Sequence, residues 1–145
     1  MKLPIDFFLK GIDEKKVYYF SSTKLNTDKP HYFICVLKSE QNTLILVCGT
    51  SDRQDKRKKR IEMLGLHSTL VWITPNETNG LVKDTFIDCN TYFEYSVADF
   101  KTMYEQDILE YKGEISEGHY EQIIGGLLDS PTIPEDLKQL LRKQL

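Results

Sequence analysis

The sequence predicts the α+β class, with a small curved antiparallel sheet or barrel covered by a few helices near the C-terminus. Clusters of β-branched and aromatic residues occupy the first two thirds of the chain, whereas apolar residues recur at helical spacing in the last third. A chain in which the strands come first and the helices follow is typical of α+β proteins. The 145 residues suffice to bury one sizeable core, so we expect a single domain over residues 1–145.

The composition, with 40% hydrophobic and 28% charged residues, is typical of a globular protein. No apolar run approaches the roughly 20 residues of a membrane span, and the N-terminus is too short and too interrupted for a signal peptide. Three cysteines, Cys35, Cys48 and Cys89, lie in or beside apolar runs and lack metal-ligand spacing. We therefore expect reduced core thiols in a cytoplasmic protein, with no metal ion and no cofactor.

The first three strands are predicted by clusters of β-branched and aromatic residues. Residues 17–20 form the first cluster, and a polar loop over residues 21–28 follows it. Residues 31–37 and 44–48 are the next two apolar runs, separated by the polar residues 39–42. This pattern predicts a buried, apolar β-hairpin.

The middle of the chain contains a basic run and two further predicted strands. Residues 53–60 hold six basic residues and one acidic residue, and we expect a helical turn or an extended loop over residues 53–64. Residues 69–73 and 85–89 are rich in β-branched and aromatic residues. We expect residues 92–95 to continue the second strand after a turn at Asn90.

Three helices are predicted in the last third. Ser96 with Asp99, and Thr132 with Glu135, have the spacing of residues that cap a helix start. A further helix is predicted after Ser116, because apolar residues recur there at i, i+3, i+4, i+7 and i+8. These residues are Tyr120, Ile123, Ile124, Leu127 and Leu128.

That helix contains an adjacent pair of glycines, Gly125 and Gly126. Each glycine costs a helix about 1 kcal/mol relative to alanine. We therefore expect the pair to mark a place where the helix packs closely against another segment of backbone.

The open end of the hairpin is the first candidate site. Lys29 and His31 lie at the start of the hairpin's first strand. Antiparallel pairing brings them to the same edge as Thr50, Ser51 and Arg53, at the end of the second. Cleavage of RNA by its own 2′-hydroxyl needs a proton acceptor, a cation for the charged phosphorane and a proton donor for the leaving oxygen. The two cations, the hydroxyls and the imidazole can supply these groups. The alternative is that these residues have only structural roles. In that case Lys29 starts a strand, His31 lies at its rim, and Thr50 and Ser51 cap the following turn or helix.

The basic run is a candidate RNA-binding surface, since phosphate contacts dominate nucleic-acid affinity. Its consecutive cations are Lys56, Arg57, Lys58, Lys59 and Arg60. The formal net charge is −3, so any cationic face has to be local. Aromatic residues for base stacking have to come from elsewhere, and the candidates are Tyr18, Tyr32 and Trp72, each of which also suits a core position. The alternative for the run is a solvated loop.

Asp88 and Asn90 form a polar interruption at the end of a predicted strand. They can read the edge of a base or hold a loop through an Asx turn.

The order of four segments along the chain resembles the MazF/PemK-like toxins, the small endoribonucleases of toxin–antitoxin systems. The resemblance covers residues 17–128, approximately. The segments are Lys29-Pro30 before an apolar strand, Cys48-Gly49-Thr50-Ser51 at the end of the next, Asp88-Cys89-Asn90, and Lys112-Gly113-Glu114-Ile115 before a helix.

The resemblance implies an SH3-like barrel, a homodimer, and metal-independent cleavage of single-stranded RNA, with a cognate antitoxin in the RNA groove. It implies that Lys29 stands at the position of the family's catalytic arginine and Thr50 at that of its catalytic threonine or serine. Lysine lacks the planar fork of arginine, and Arg53 or Arg57 are candidates to compensate. The alternative function is a non-catalytic SH3-like module that binds RNA or a peptide.

Overall fold

The structure is a computed structural model that describes residues 2–51 and 56–145, apart from the side chain of Arg57. Six strands form one antiparallel sheet. They are β1 (Lys16–Phe20), β2 (His31–Lys38), β3 (Thr43–Thr50), β4 (Leu70–Ile73), β5 (Thr85–Ser96) and β6 (Glu110–Glu114). Their spatial order is β4-β5-β3-β2-β1-β6, so β4 and β6 are the two edges of the sheet.

Helices cover both faces of this sheet. The α-helices in the described residues are α1 (Ile5–Lys10), α2 (Lys56–Met63), α3 (Val97–Glu105), α4 (Glu117–Asp129) and α5 (Glu135–Arg142), and a short 3-10 helix spans His67–Thr69. The predicted α+β class, a curved antiparallel sheet with covering helices, is confirmed. No helix within the described ranges is long and apolar enough to cross a membrane.

The two sides of the sheet bury different sets of side chains. We call the side that packs against α4 and α5 the α4 face, and the side that packs against α1 and α3 the α3 face. Ile34 of β2 and Val47 of β3 belong to the α4 face, whereas Phe33 and Cys48 belong to the α3 face. Because both faces are covered, the two hairpin strands are continuous apolar runs rather than alternating ones.

The predicted hairpin is confirmed, but β5 differs from its prediction. β5 runs without a break from Thr85 to Ser96, so the turn expected at Asn90 is wrong. Phe93 pairs with Leu46 and Asp88 with Cys48. Four residues of β5 therefore lie opposite a single residue of β3. A bulge of this kind absorbs the extra residues and bends the strand without ending it.

The connection from β4 to β5 bridges the two edges of the curled sheet. The backbone N–H of Glu114, in β6, donates a hydrogen bond of 2.8 Å to the carbonyl of Thr78 in this connection. Gly113 permits the approach, because a Cβ there would lie 2.2 Å from that carbonyl oxygen. The Lys112-Gly113 segment forms part of an edge strand against this loop, and the helix predicted after Ser116, α4, follows it directly. The sheet is thus a half-barrel closed by a loop.

One of the two predicted capping boxes is confirmed. Ser96 and Asp99 form a reciprocal capping box at α3, and Ser116 caps α4 through the backbone N–H of His119. The capping box predicted at Thr132 is wrong, because Pro134 occupies the cap position of α5. The Thr132 hydroxyl instead donates to the carbonyl of Asn90, at 2.6 Å.

The two adjacent glycines of α4 have different surroundings. A Cβ at Gly126 would lie 2.9 Å from both the Sγ of Cys89 and the carbonyl oxygen of Ser68. The close packing predicted for the pair is therefore confirmed at Gly126. It is wrong for Gly125, where an added Cβ would meet nothing within 4 Å.

The three cysteines are buried and form no disulfide with one another, as predicted. Burial raises the pKa of the Cys35 thiol, and burial also raises the pKa of the Cys89 thiol. These two thiols therefore remain protonated near neutral pH. The described residues contain no group of three or more His, Cys, Asp or Glu side chains arranged to hold a metal ion.

Candidate active site

The open end of the β2–β3 hairpin brings together most of the residues predicted for catalysis. Tyr32 pairs with Gly49, so His31 and Thr50, one residue further outward on each strand, lie side by side. Lys29 immediately precedes this point and Ser51 immediately follows it. Arg53, also predicted to act here, lies outside the described residues.

The loop that leads into β2 positions the backbone of Lys29. The hydroxyl of Ser21 donates to the carbonyl of Asp28 at 2.6 Å, which closes the loop on itself. The backbone N–H of Lys29 then donates to the hydroxyl of Thr27 at 3.2 Å. The Lys29 side chain is exposed, and no carboxylate among the described residues forms an ion pair with it. Its ammonium can therefore approach an anionic ligand at the hairpin end.

His31 has a tautomer that suits proton acceptance. Its Nδ1 lies 3.0 Å from the carbonyl oxygen of Lys29. A carbonyl can only accept a hydrogen bond, so Nδ1 carries the hydrogen in this contact. In the neutral ring Nε2 then has the free lone pair. His31 can consequently act as a general base through Nε2.

The position of Thr50 depends on the glycine before it. A Cβ at Gly49 would lie 2.7 Å from the Cδ1 of Ile87 and 2.7 Å from the Cγ2 of Thr85. The side chains of Ile87 and Thr85, both on β5, therefore pack closely over residue 49 because it has no side chain. This close approach fixes Thr50 at the end of its strand.

A row of directly paired residues extends from Thr50 across the sheet. Thr50 pairs with Phe86 of β5, and Phe86 pairs with Trp72 of β4. On the other side, His31 pairs with Phe20 of β1. Directly opposed residues of antiparallel strands project to the same face, which here is the α3 face. We call these five residues the cross-sheet row.

The basic run forms a helix beside the Trp72 end of this row. The helical interpretation of residues 53–64 is thus confirmed for Lys56–Met63. The ammonium of Lys58 lies 5.5 Å from the centroid of the Trp72 ring and forms an ion pair with Glu62. The hydrogen bond from Lys58 lowers the pKa of the Glu62 carboxyl. Three further predicted RNA-binding residues, Lys56, Lys59 and Arg60, are exposed on α2.

Asp88 and Asn90 have separate surroundings. Asp88 pairs with Cys48 and lies on the α3 face, two residues from Phe86 along β5. It is buried, and its Oδ1 accepts a 2.9 Å hydrogen bond from the backbone N–H of Asn90, the contact of an Asx turn. The Asn90 amide donates to the hydroxyl of Thr69 at 2.8 Å. These bonds support the alternative in which Asp88 and Asn90 hold the local backbone. Base recognition by either residue stays a prediction.

Of the three aromatic residues considered for stacking, only Trp72 has a large exposed surface. Tyr18 is 1% exposed, and Tyr32 is half-buried against the α4 face, whereas Trp72 is 40% exposed. Phe86, which links Trp72 to Thr50, has no sequence signal as a site residue. Its place follows only from the pairing of β5 with both β3 and β4.

No protein-family model and no curated protein sequence matches the chain. Among solved structures, it is similar to an endoribonuclease in complex with its cognate antitoxin from a mycobacterial species. The TM-score is 0.51 at 12% sequence identity, and the match covers 86% of this chain and 98% of that chain. The likeness shows a shared fold. The chain therefore shares its curled sheet and covering helices with that mycobacterial endoribonuclease.

Proposed function

We propose that the protein is the toxin of a type II toxin–antitoxin system, a metal-independent endoribonuclease that cleaves single-stranded RNA. The observation that carries the proposal is the meeting of Lys29, His31 and Thr50 at the open end of the hairpin, on a fold shared with an endoribonuclease. The basic helix α2 beside the same face adds favourable charge for a polyanion.

The proposed reaction is attack of a ribose 2′-oxygen on the adjacent phosphorus. His31 Nε2 takes the 2′-hydroxyl proton while the bond from the 2′-oxygen to phosphorus forms. Thr50 donates a hydrogen bond to a non-bridging oxygen, and the Lys29 ammonium stabilises the charge on the phosphorane. The bond from phosphorus to the 5′-oxygen then breaks, and the leaving oxygen takes up the proton that His31 has accepted. The products are a 2′,3′-cyclic phosphate and a 5′-hydroxyl.

Two further groups belong to the proposal. Arg53 and Ser51 assist charge stabilisation and phosphate binding at the hairpin end. Arg57, like the other cations of α2, contacts the RNA backbone away from the scissile phosphate.

The proposed partners are single-stranded RNA, a cognate antitoxin protein and a second copy of the chain in a homodimer. The structurally similar endoribonuclease is in complex with its own cognate antitoxin, which supports the antitoxin partner. Single-stranded RNA is proposed because attack by a 2′-oxygen requires ribose and a backbone free to bring that oxygen in line with the leaving group. The proposed location is the cytoplasm.

The test compares cleavage of single-stranded RNA in excess EDTA by the wild type and four variants. Lys29→Ala and Thr50→Ala remove the proposed site groups. Lys101→Ala and Thr102→Ala are matched controls, because both residues are exposed on α3. We expect the wild type and both controls to cleave, and each site variant to lose on the order of 10²-fold to 10³-fold in kcat.

Two results would contradict the mechanism. One is full activity in both site variants, and the other is cleavage only after addition of a divalent metal. Saturable RNA binding without turnover would instead support the alternative of a non-catalytic binding module.

A further inference from the structure

Trp72 is the single tryptophan of the chain, and its side chain points away from the core that its strand otherwise builds. Its neighbours Val71 and Ile73 are buried in the α4 face, at 4% and 0% exposure. Trp72 projects to the opposite side, with 40% of its surface exposed. An indole left in water forgoes part of the stabilisation that a large aromatic side chain gains on burial. The exposed part of the ring is therefore available to a ligand.

The ring is nevertheless held in place. Phe86, which is fully buried, lies with its ring centroid 5.5 Å from that of Trp72 and with the two planes at 57°. Residue 86 therefore supports the indole from the sheet side. A rigid, supported aromatic ring presents its face at a lower entropic cost than a mobile side chain does.

A cation lies over the same ring, in a cation–π contact. The Lys58 ammonium is 5.5 Å from the indole centroid, and Glu62 holds it through an ion pair. An aromatic face with an adjacent cation is the combination by which proteins bind single-stranded nucleic acid, since the ring stacks on a base and the cation contacts a phosphate. Three exposed cations of α2 extend the positive surface, although the whole chain has a net charge of −3. This localised charge favours a polyanion over an acidic peptide segment of few charges.

The ring and the proposed reaction centre lie in the same cross-sheet row. Trp72 and Thr50 are separated by one strand, β5, which places their Cα atoms about 10 Å apart at the spacing of antiparallel strands. One oligonucleotide can therefore contact both residues.

We propose that Trp72 is a stacking platform for an unpaired nucleobase of the RNA, and that Lys58 contacts the phosphate next to this base. The inference rests on the proposed function, because it adds a base-binding subsite to the proposed cleavage site. The ligand is defined as an unpaired base joined to a phosphate, without a preference for one base, since every base has a π face.

The single tryptophan makes the test direct, because emission excited at tryptophan and not at the eight tyrosines reports on residue 72 alone. The ligand is a fluorophore-labelled 2′-O-methyl RNA oligomer, which retains bases and phosphates but lacks the attacking hydroxyl. Affinity is measured by anisotropy, and contact with the indole by quenching of tryptophan emission. An abasic oligomer of equal length and poly-glutamate serve as ligands that carry charge without bases.

We expect the RNA oligomer to quench the emission, and the abasic oligomer and poly-glutamate to leave it unchanged. Trp72→Ala should weaken RNA binding about 5-fold to 150-fold, and Trp72→Phe should restore most of the affinity. Lys58→Ala should lower the slope of log K against log salt by about 1, whereas the α3 control Lys101→Ala should not change it.

The outcomes separate the inference from the proposed function. If RNA binds without quenching and Trp72→Ala keeps the wild-type affinity, the inference is overturned while the proposed function stands. Equal quenching by the abasic oligomer or by poly-glutamate also overturns it. If RNA does not bind at all, both fail. Quenching and loss of affinity in Trp72→Ala, without cleavage of unmodified RNA, support the inference and contradict the catalytic proposal.

Discussion

Thr50 and Trp72 project to the same face of the sheet because each of them pairs with Phe86. This relationship joins the end of the hairpin, where the proposed chemistry takes place, to the edge strand beside the basic helix. It also makes the geometry of the site depend on β5, and in particular on how closely β5 approaches β3.

The first prediction concerns that approach, at Gly49. A Cβ at this position would lie 2.7 Å from side-chain atoms of both Thr85 and Ile87, so Gly49→Ala forces these side chains, or the strand that carries them, to move. We expect the free energy of unfolding to fall by about 1–3 kcal/mol, as for other overpacked cores. Because Thr50 is the next residue, RNA cleavage by the remaining folded protein should also fall. Urea unfolding and a cleavage assay measure the two effects, and wild-type values in both would contradict this interpretation.

The second prediction uses the two adjacent glycines of α4 as a matched pair. Gly125→Ala should stabilise the protein by up to about 1 kcal/mol, because an added Cβ there meets no other atom and alanine favours the helix. Gly126→Ala should destabilise it by about 1–3 kcal/mol, because the Cβ would press on Cys89 and on the backbone of Ser68. Thermal unfolding of both variants measures the difference. Changes of the same sign would show that α4 does not pack as described.

The third prediction concerns pH and the buried thiols. Burial raises the pKa of Cys35 and of Cys89, whereas an unfolded thiol titrates near 8.5. Above that pH the unfolded chain releases protons that the folded protein retains, so stability falls as pH rises. Between pH 7.5 and 9.5 we expect a loss on the order of 1 kcal/mol for each thiol. Urea unfolding at the two pH values measures it.

A Cys35→Ala variant is the control for this pH effect. It should show a smaller loss of stability between the two pH values than the wild type. An equal loss in both proteins would assign the effect to other groups.

The fourth prediction concerns the lysine at the proposed reaction centre. A lysine ammonium is a point charge, whereas a guanidinium can hold two phosphate oxygens at once. Lys29→Arg should therefore raise kcat/KM for RNA cleavage roughly tenfold, which corresponds to one further charged hydrogen bond of about 1.5 kcal/mol. Lys101→Arg on α3 is the control and should leave kcat/KM unchanged. A decrease in Lys29→Arg would show that the lysine acts in some way other than by holding phosphate.

The elements that were predictable from the sequence are those whose own pattern is strong. The β2–β3 hairpin is a pair of long apolar runs, and α4 carries an apolar stripe that the structure buries. β6 had no such pattern, because Gly113 is its one buried residue. The six-residue helix α1 is likewise too short for a helical period to appear, and Phe8 is the residue that it buries.

The candidate site was partly predictable for the same reason. The antiparallel hairpin requires Lys29 and Thr50 to lie at one edge, so the sequence pattern suffices for that pair. The place of Trp72 depends on β5 pairing with both β3 and β4, strands that α2 separates in the sequence. The Thr132 cap failed because a long-range bond to Asn90 competes for the same hydroxyl, which local spacing does not reveal.

The most direct test of the central claim is mass spectrometry of the RNA products formed in excess EDTA. The substrate is a single-stranded oligomer, compared with the same oligomer carrying one 2′-deoxyribose at the major cleavage site. We predict a 2′,3′-cyclic phosphate and a 5′-hydroxyl from the first oligomer, and no cleavage at the modified position of the second. A 5′-phosphate product, or cleavage at the 2′-deoxyribose, would contradict the account.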